Sequence, residues 1–135
     1  MIKSFSLKKK QKGKSFNKLN NLIMFKNLKF NTLQLISTSH GRVTDKQILA
    51  VTAVINKTIK KIGIYKLNMF PYHPITKKSL GIRMGKGKGS INHYIFNASI
   101  GIILCSIQTA FFAKAYKALK LAQIRLPIRT KIISL

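Results

Sequence analysis

The stretch "GRVTDKQILAVTAVINKTIKKIG", residues 41–63, decides the fold. Its apolar side chains recur at the spacing of one helix face, at Ile48, Val51, Ile55, Ile59 and Ile62. Thr44 is suited to cap the first turn, because Gln47 follows three residues later as a capping box requires. Asp45 falls in that turn, where the helix dipole favours a negative charge. The sequence therefore predicts an amphipathic helix that begins after Thr44 and stops at Gly63.

Strands are predicted on both sides of this helix. Residues 28–37, "LKFNTLQLIS", alternate in part between apolar and polar side chains. Residues 64–70, "IYKLNMF", alternate more regularly, and one face of that strand would carry Tyr65, Leu67 and Met69. Pro71 and Pro74 then predict a break and the start of a long loop. A last strand is predicted at residues 128–133, "IRTKII", with Arg129 and Lys131 on one face.

Residues 94–113, "YIFNASIGIILCSIQTAFFA", carry no charge over the length of a membrane-spanning helix. Their polar side chains and the turn-like "NASIG" favour another interpretation, a strand, a turn, a second strand and a helix. Thr109 would cap that helix, which would run to about Gln123 with Phe112, Ala115, Leu119 and Ala122 inward and Lys114, Lys117 and Lys120 outward. The predicted fold class is α+β, a single domain with two amphipathic helices packed on a sheet of short, mostly antiparallel strands.

Charge restricts the possible functions. Lysine and arginine total 26 against one acid, Asp45, so the chain repels itself unless a partner supplies dense negative charge. Nucleic acid is the leading candidate partner, and an anionic membrane surface is the second. One carboxylate can form neither an acid–base pair nor a magnesium cage, and the single cysteine, Cys105, cannot form an internal disulfide. The histidines at 40, 73 and 93 lack metal-ligand spacing, so we predict no enzyme activity, metal or cofactor.

The first 27 residues are basic, polar and free of acids. A mitochondrial targeting peptide has a similar composition, but lysines stand here in place of arginines and no amphipathic face is evident. An extended basic arm that becomes ordered on its partner is the preferred interpretation. Residues 1–27 are therefore predicted to be an arm and residues 28–135 a domain, and the candidate RNA contacts of the arm are Lys8, Lys9, Lys10, Lys12 and Lys14.

The loop after the second predicted strand contains "RMGKGKGS", residues 83–90. A P-loop would need a glycine where Lys86 stands, and a dinucleotide fingerprint would need one where Ser90 or Asn92 stands. A simple turn needs fewer glycines than this loop contains. Glycines allow backbone N–H groups to approach phosphate oxygens, lysines neutralise phosphates, and Arg83 can bond a phosphate or stack on an unpaired base. The loop is therefore predicted to lie against folded RNA.

Three stretches together carry a family resemblance. They are "FPYHPITKKSLGIRMGKGKGSINHYI" at 70–95, "KALKLAQIRLPIRTKII" at 117–133 and "GRVTDKQI" at 41–48. In order and spacing they resemble the bacterial-type large-subunit ribosomal protein L-sixteen family, and "KKKQKGK" at 8–14 resembles the basic amino terminus of that family. The resemblance runs from about Lys8 to Leu135 and departs from the family at residues 15–27, where asparagines and bulky apolar residues replace arginine and glycine.

The resemblance implies a structural protein that binds large-subunit rRNA near the cleft for A-site tRNA and the peptidyl-transferase region. It implies support of subunit assembly and tRNA positioning, contacts with neighbouring ribosomal proteins, and neither a membrane span nor a homo-oligomer. The rRNA and tRNA contacts of the loop would be Lys77, Lys78, Arg83, Met84, Gly85, Lys86, Gly87, Lys88, Gly89 and Ser90. The body would contact rRNA through Arg42, Arg125, Arg129 and Lys131.

The residue usage bears on the compartment. Lysine far outnumbers arginine, and isoleucine, asparagine and phenylalanine are frequent, as A/T-rich codons dictate. With the family resemblance, this composition predicts a mitochondrial ribosomal protein of the matrix, encoded in the organelle. A chloroplast or an A/T-rich bacterium is an alternative source, and a basic membrane protein that spans with residues 94–113 is the alternative class of protein.

Overall fold

A computed structural model describes residues 31–59, 62–85 and 87–134. The predicted arm, Lys60, Lys61 and Lys86 lie outside the described residues. The elements in chain order are β1 (Thr32–Ser37), β2 (Gly41–Thr44), α1 (Asp45–Ile59), β3 (Gly63–Leu67), β4 (His73–Lys77), β5 (Ser90–Ala98), β6 (Ile103–Thr109), α2 (Phe112–Ile124) and β7 (Thr130–Ser134).

The described strands form two sheets. The larger sheet has four strands in the order β3-β6-β1-β7, and the smaller has three in the order β2-β5-β4. Every pairing between the described strands is antiparallel. The fold-class prediction of one α+β domain with two helices and antiparallel strands is therefore confirmed, with the strands divided between two sheets rather than collected in one.

The helix α1 begins at the predicted capping box. The backbone N–H of Thr44 donates to Gln47 Oε1 at 2.9 Å, and the N–H of Gln47 donates to Thr44 Oγ1 at 3.4 Å. Asp45 lies in the first turn, as predicted. The structure describes α1 as far as Ile59, and Gly63, the predicted stop, is the first residue of β3. A Cβ at Gly63 would lie 2.6 Å from the backbone oxygen of Gln108, so this glycine allows β3 to approach β6 closely.

One core joins both helices to both sheets. The buried face of α1 consists of Ile48, Val51, Ile55 and Ile59, and that of α2 consists of Ala115, Ala118, Leu119 and Ala122. From the sheets, the core receives Leu33, Leu35, Val43, Phe96, Ala98, Leu104, Cys105 and Ile107. The two helices also pack on each other, so the helical layer and the sheets share this core.

Two strands were missed, and both lie at edges of the smaller sheet. The strand β2 has four residues and directly precedes α1, and β4 lies in the region predicted as loop. Pro74 was interpreted as a break, yet it pairs with Tyr94 of β5. An edge strand tolerates proline, because the missing N–H would have faced away from the neighbouring strand. The strand β5 likewise begins at Ser90 rather than at Tyr94.

The amino-terminal end of α2 also differs from the prediction. Phe111 rather than Thr109 occupies the N-cap position, and no side-chain capping bond is found there among the described residues. The Thr109 hydroxyl instead donates to the Ile62 carbonyl oxygen at 3.0 Å and accepts from the Phe111 N–H at 3.1 Å. Phe112, the first residue of α2, is predicted inward, but 39% of it is exposed.

The uncharged residues 94–113 do not form one helix. They contribute most of β5, all of β6 and the first residues of α2. In the described part of the chain, no helix has both the length and the apolar character needed to span a membrane.

Candidate nucleic-acid interface

The glycine–lysine loop connects β4 to β5 and occupies residues 78–89. It starts where Lys77 pairs with Ser90, so these two predicted contact residues are strand ends that hold the base of the loop. Gly89 lies close to the opposite strand, because a Cβ there would be 2.5 Å from the Lys77 carbonyl oxygen and 2.7 Å from the Lys78 nitrogen. The smaller sheet therefore sets the position and direction of the loop.

Beyond this base, the loop depends on glycine for its conformation. Gly81, Gly85 and Gly87 have φ angles of 85°, 95° and 81°, in the left-handed region that L side chains rarely adopt. No described atom lies within 4 Å of the Cβ position at any of the three. The need for glycine at Gly87 therefore arises from the backbone conformation, and the need at Gly89 arises from close packing.

The tip of the loop presents both cationic and apolar groups to solvent. Arg83 and Lys88 are exposed, and Met84 and Leu80 are almost fully exposed, at 100% and 97%. Apolar side chains of this size are not normally left uncovered in a group. The apolar residues of the tip, together with its cations, fit a partner that offers phosphates and unstacked base faces.

The side chain of Lys78 forms a hydrogen bond across the loop. Its Nζ donates to the carbonyl oxygen of Gly85, seven residues along the chain. A cavity of about 260 Å³ opens beside this bond. The cavity is lined by three lysines of the loop and its base together with their neighbours. The lining residues are Lys77, Lys78, Ser79, Ile82, Gly87, Lys88, Gly89 and Ser90. This concave, cationic surface can accept an anionic group.

The four predicted body residues are all exposed but are divided between two strands and the connection from α2 to β7. Arg42 lies on β2, Arg125 caps the carboxyl end of α2, Arg129 precedes β7 and Lys131 lies within β7. Backbone bonds bring two of these regions together, since the Arg129 carbonyl oxygen accepts from the Thr38 N–H at 2.9 Å. The structure thus joins the start of β7 to the turn before β2, while the loop belongs to the other end of the smaller sheet.

Side-chain hydrogen bonds hold the connection from α2 to β7. Gln123 Nε2 donates to the carbonyl oxygen of Thr130 at 2.8 Å and to its Oγ1 at 3.0 Å. The Arg129 N–H donates to Ser39 Oγ at 3.0 Å. These bonds fix the backbone that carries Arg125 and Arg129, so both cations project from an ordered surface.

Acids and metal-ligating groups contribute little to this surface. Asp45 Oδ1 accepts from the N–H of Lys46 at the start of α1, so the one carboxylate serves the helix. Cys105 is fully buried in β6, and burial raises the pKa of its thiol from 9.0 to about 12. Within residues 31–59, 62–85 and 87–134, no group of three metal-ligating side chains could hold an ion.

Sequence reasoning missed part of the loop. Leu80 and Ile82 share the exposed tip with Met84, and they were not predicted as contacts. The alternation of apolar residues at 80, 82 and 84 within an otherwise polar loop was the available signal. Lys8, Lys9, Lys10, Lys12, Lys14 and Lys86 lie outside the described residues, so their assignment as contacts stays a prediction.

The chain is similar in sequence to known ribosomal proteins. Residues 2–133 match the family model described as ribosomal protein L16p/L10e. The large ribosomal subunit protein uL16 of Blochmanniella pennsylvanica is 38% identical over 107 residues, which cover 79% of this chain and 80% of that protein. The uL16 protein of Acinetobacter baylyi is 36% identical over 105 residues, which cover 78% and 77% of the two chains. The chain therefore belongs to the ribosomal protein L16p/L10e family and is a structural protein of the large ribosomal subunit, not an enzyme.

Proposed function

We propose that the chain binds large-subunit rRNA beside the cleft for A-site tRNA, with the β4–β5 loop directed toward the peptidyl-transferase region. The observation that carries this proposal is the loop itself. It is exposed, cationic and free of acids, and glycines with positive φ shape it around open space. A loop that only joined two antiparallel strands would need neither the three glycines nor the exposed Met84 and Leu80.

The loop would bind RNA through complementary groups. Lys77 and Lys88 neutralise phosphates, and the backbone N–H groups near Gly85 and Gly87 donate to phosphate oxygens that a Cβ would keep at a distance. The guanidinium of Arg83 donates to a phosphate or stacks on an unpaired base. Met84 packs against a base face or a ribose, as a flexible and polarisable side chain can.

The body and the arm would hold the protein on the subunit. Arg42, Arg125, Arg129 and Lys131 are exposed cations on an ordered framework and would contact rRNA phosphates. Residues 1–27 would form a separate basic arm, preceding a domain of residues 28–135, and would thread along rRNA with Lys8, Lys9, Lys10, Lys12 and Lys14. Contacts at two regions of one protein support assembly, because they bring separate RNA helices together.

The same charges bear on other partners. A net charge of +25 makes two copies repel each other, so the protein would act as a single copy. Neighbouring ribosomal proteins would share its surface, and the aminoacyl end of A-site tRNA would meet the loop tip. No chemical step passes through the chain, and its contribution to translation would be the ordering of RNA around the cleft.

We further propose that the chain acts in a mitochondrial ribosome. The two relatives named above come from bacteria, so this proposal depends on composition. Lysine is strongly preferred over arginine, and asparagine, isoleucine and phenylalanine are abundant, which is the usage that an A/T-rich organellar gene imposes.

A double substitution in the loop tests the RNA assignment. Large subunits would be reconstituted with the Arg83→Gln, Lys88→Gln variant, and the affinity of A-site tRNA would be measured by filter binding over a range of salt. Both residues are exposed, so the variant should fold and incorporate normally. We expect A-site tRNA to bind roughly 30-fold more weakly, on the basis of about 1 kcal/mol for each of the two lost contacts.

The matched control is Lys57→Gln, which removes an exposed charge from α1. It should leave tRNA affinity unchanged. If the loop variant and the control bind A-site tRNA equally well, the proposed position of the loop is wrong. If the loop variant fails to enter the subunit at all, the loop binds rRNA during assembly and tRNA is not its principal contact.

A further inference from the structure

The exposed side of α2 has a chemistry of its own. The helix buries one narrow face, and the side chains that remain in solvent include two aromatic rings and three lysines. We call this surface the α2 face, and it consists of Phe112, Lys114, Tyr116, Lys117 and Lys120. The sequence predicts the three lysines outward and Phe112 inward, and the proposed function assigns this face no partner.

Helix geometry places these side chains in two rows. Phe112, Tyr116 and Lys120 follow one another at intervals of four residues and therefore lie on one side of the helix. Lys114, Lys117 and Lys120 follow one another at intervals of three residues, so the Cα atoms of successive lysines lie about 4.5 Å apart along the helix axis. An aromatic row and a cationic row thus converge on Lys120.

Lysines of the α2 face lie over two exposed aromatic rings, Tyr116 of the face itself and Phe111 at the N-cap beside it. Lys120 Nζ lies 5.7 Å from the centroid of the Tyr116 ring, and Lys114 Nζ lies 5.5 Å from that of Phe111. Tyr116 is 48% exposed and Phe111 is 58% exposed. An exposed ring with a cation beside it offers a flat face for stacking and a charge for the adjacent phosphate.

The neighbouring helix provides an internal comparison. The outer side of α1 is made mainly of small or aliphatic residues, and its exposed cations, Lys46 and Lys57, lie near opposite ends. Asp45 is the one acidic side chain in the sequence, and its carboxylate accepts a hydrogen bond from the backbone at the start of α1. It therefore does not neutralise the lysines of α2. The described residues of α1 include no aromatic side chain, so the combination of exposed rings and lysines is particular to α2.

We propose that the α2 face is a further RNA-binding surface, separate from the loop, the body cations and the arm, which takes unpaired nucleotides by stacking bases on Tyr116 and Phe112 and by pairing phosphates with Lys117 and Lys120. The proposal rests on the proposed function, because it assigns a further rRNA segment to the same protein. Unpaired nucleotides fit better than a duplex, since only unstacked bases expose the faces that the rings require. A protein partner would fit if it presented an acidic surface, and the test separates that case.

The first experiment is ultraviolet crosslinking of intact large subunits, followed by mass spectrometry of RNA-linked peptides. We expect a nucleotide linked to Tyr116 or Phe112 and, separately, a nucleotide linked to the loop near Arg83. Loop crosslinks without any on the α2 face would overturn this inference and leave the proposed function intact. A link from Tyr116 to a protein would overturn it too. Failure of the chain to sediment with the large subunit would remove both proposals.

The second experiment measures binding of the full-length chain to a single-stranded oligo(U) probe. For Lys117→Gln with Lys120→Gln, the slope of log K against log salt should fall by about 1.4, which is roughly 25-fold in affinity at 0.1 M salt. Tyr116→Leu keeps the helix and the charge but loses the stacking ring, and binding should weaken by roughly 5-fold or more. Lys57→Gln is the charge control. Equal binding by all three variants and the parent chain would overturn the inference.

Discussion

Gly87 gives the sharpest test of the loop, because the structure isolates one cause for its identity. Its φ is 81°, and no described atom lies within 4 Å of where a Cβ would stand. Valine at this position would meet no clash but would be forced into the left-handed region, at a cost of about 1–2 kcal/mol for an L residue. The exposed loop can relax to another conformation, so the free energy of unfolding should change little.

The affinity for rRNA, in contrast, should fall by the full free-energy cost of the left-handed conformation at residue 87. If RNA binds the loop only in the conformation described, the loop of Gly87→Val must return to that conformation on binding, at a cost of about 1–2 kcal/mol. This cost corresponds to roughly 5- to 30-fold weaker affinity. The assay is an equilibrium titration of the full-length chain with large-subunit rRNA, together with a thermal melt followed by circular dichroism. The melting temperature of Gly87→Val should match that of the parent within error.

Gly89 is the matched control, since it is a glycine of the same loop with a different constraint. A Cβ there would lie 2.5 Å from the Lys77 carbonyl oxygen, so Gly89→Ala must shift the backbone of β4 or β5. Such overpacking costs about 1–3 kcal/mol and should lower the melting temperature. The reasoning is refuted if Gly87→Val binds rRNA as tightly as the parent, or if it lowers the melting temperature as much as Gly89→Ala does.

Two further predictions concern the fold. Thr44→Ala removes one half of the capping box on α1, and the free energy of unfolding should fall by about 1 kcal/mol in denaturant titrations, whereas Thr44→Ser should retain most of it. The pKa of Cys105 is raised to about 12 by burial, so an aromatic disulfide reagent at pH 8 should label it only after unfolding. The raised pKa also means that the thiol stabilises the fold fully below about pH 9, and this contribution is lost as the pH rises toward 12, a decline that Cys105→Ala should lack. Rapid labelling of the native chain would contradict the burial.

How far the sequence predicted the fold depends on how local the signal is. The start of α1 was predictable, because Thr44 and Gln47 satisfy each other within one turn of helix. The strand β4 was not, since Pro74 breaks a strand in isolation and is tolerated only because β4 lies at the edge of its sheet. Thr109 resembled a helix cap, but its hydroxyl donates a hydrogen bond to the carbonyl oxygen of Ile62, which lies 47 positions earlier in the chain.

The candidate site divides in the same way. Its composition was visible in the alternating glycines and lysines of residues 83–90. Two contacts that shape the site could not be predicted from the sequence, because each joins residues on opposite sides of the loop. The close approach of Gly89 to Lys77 requires the β4–β5 pairing, and the bond from Lys78 to Gly85 requires the folded loop. Residues 80 and 82 were missed because apolar side chains in a loop are usually assigned to packing.

The most direct test of the account is sedimentation of the chain in a density gradient of cells or organelles lysed without detergent, followed by mass spectrometry at high and low magnesium. We predict that the chain migrates with the large subunit and stays with it when low magnesium separates the two subunits, since its cations bind rRNA directly. Recovery of the chain in light membrane fractions, with release only by added detergent, would contradict the assignment of its charge to RNA.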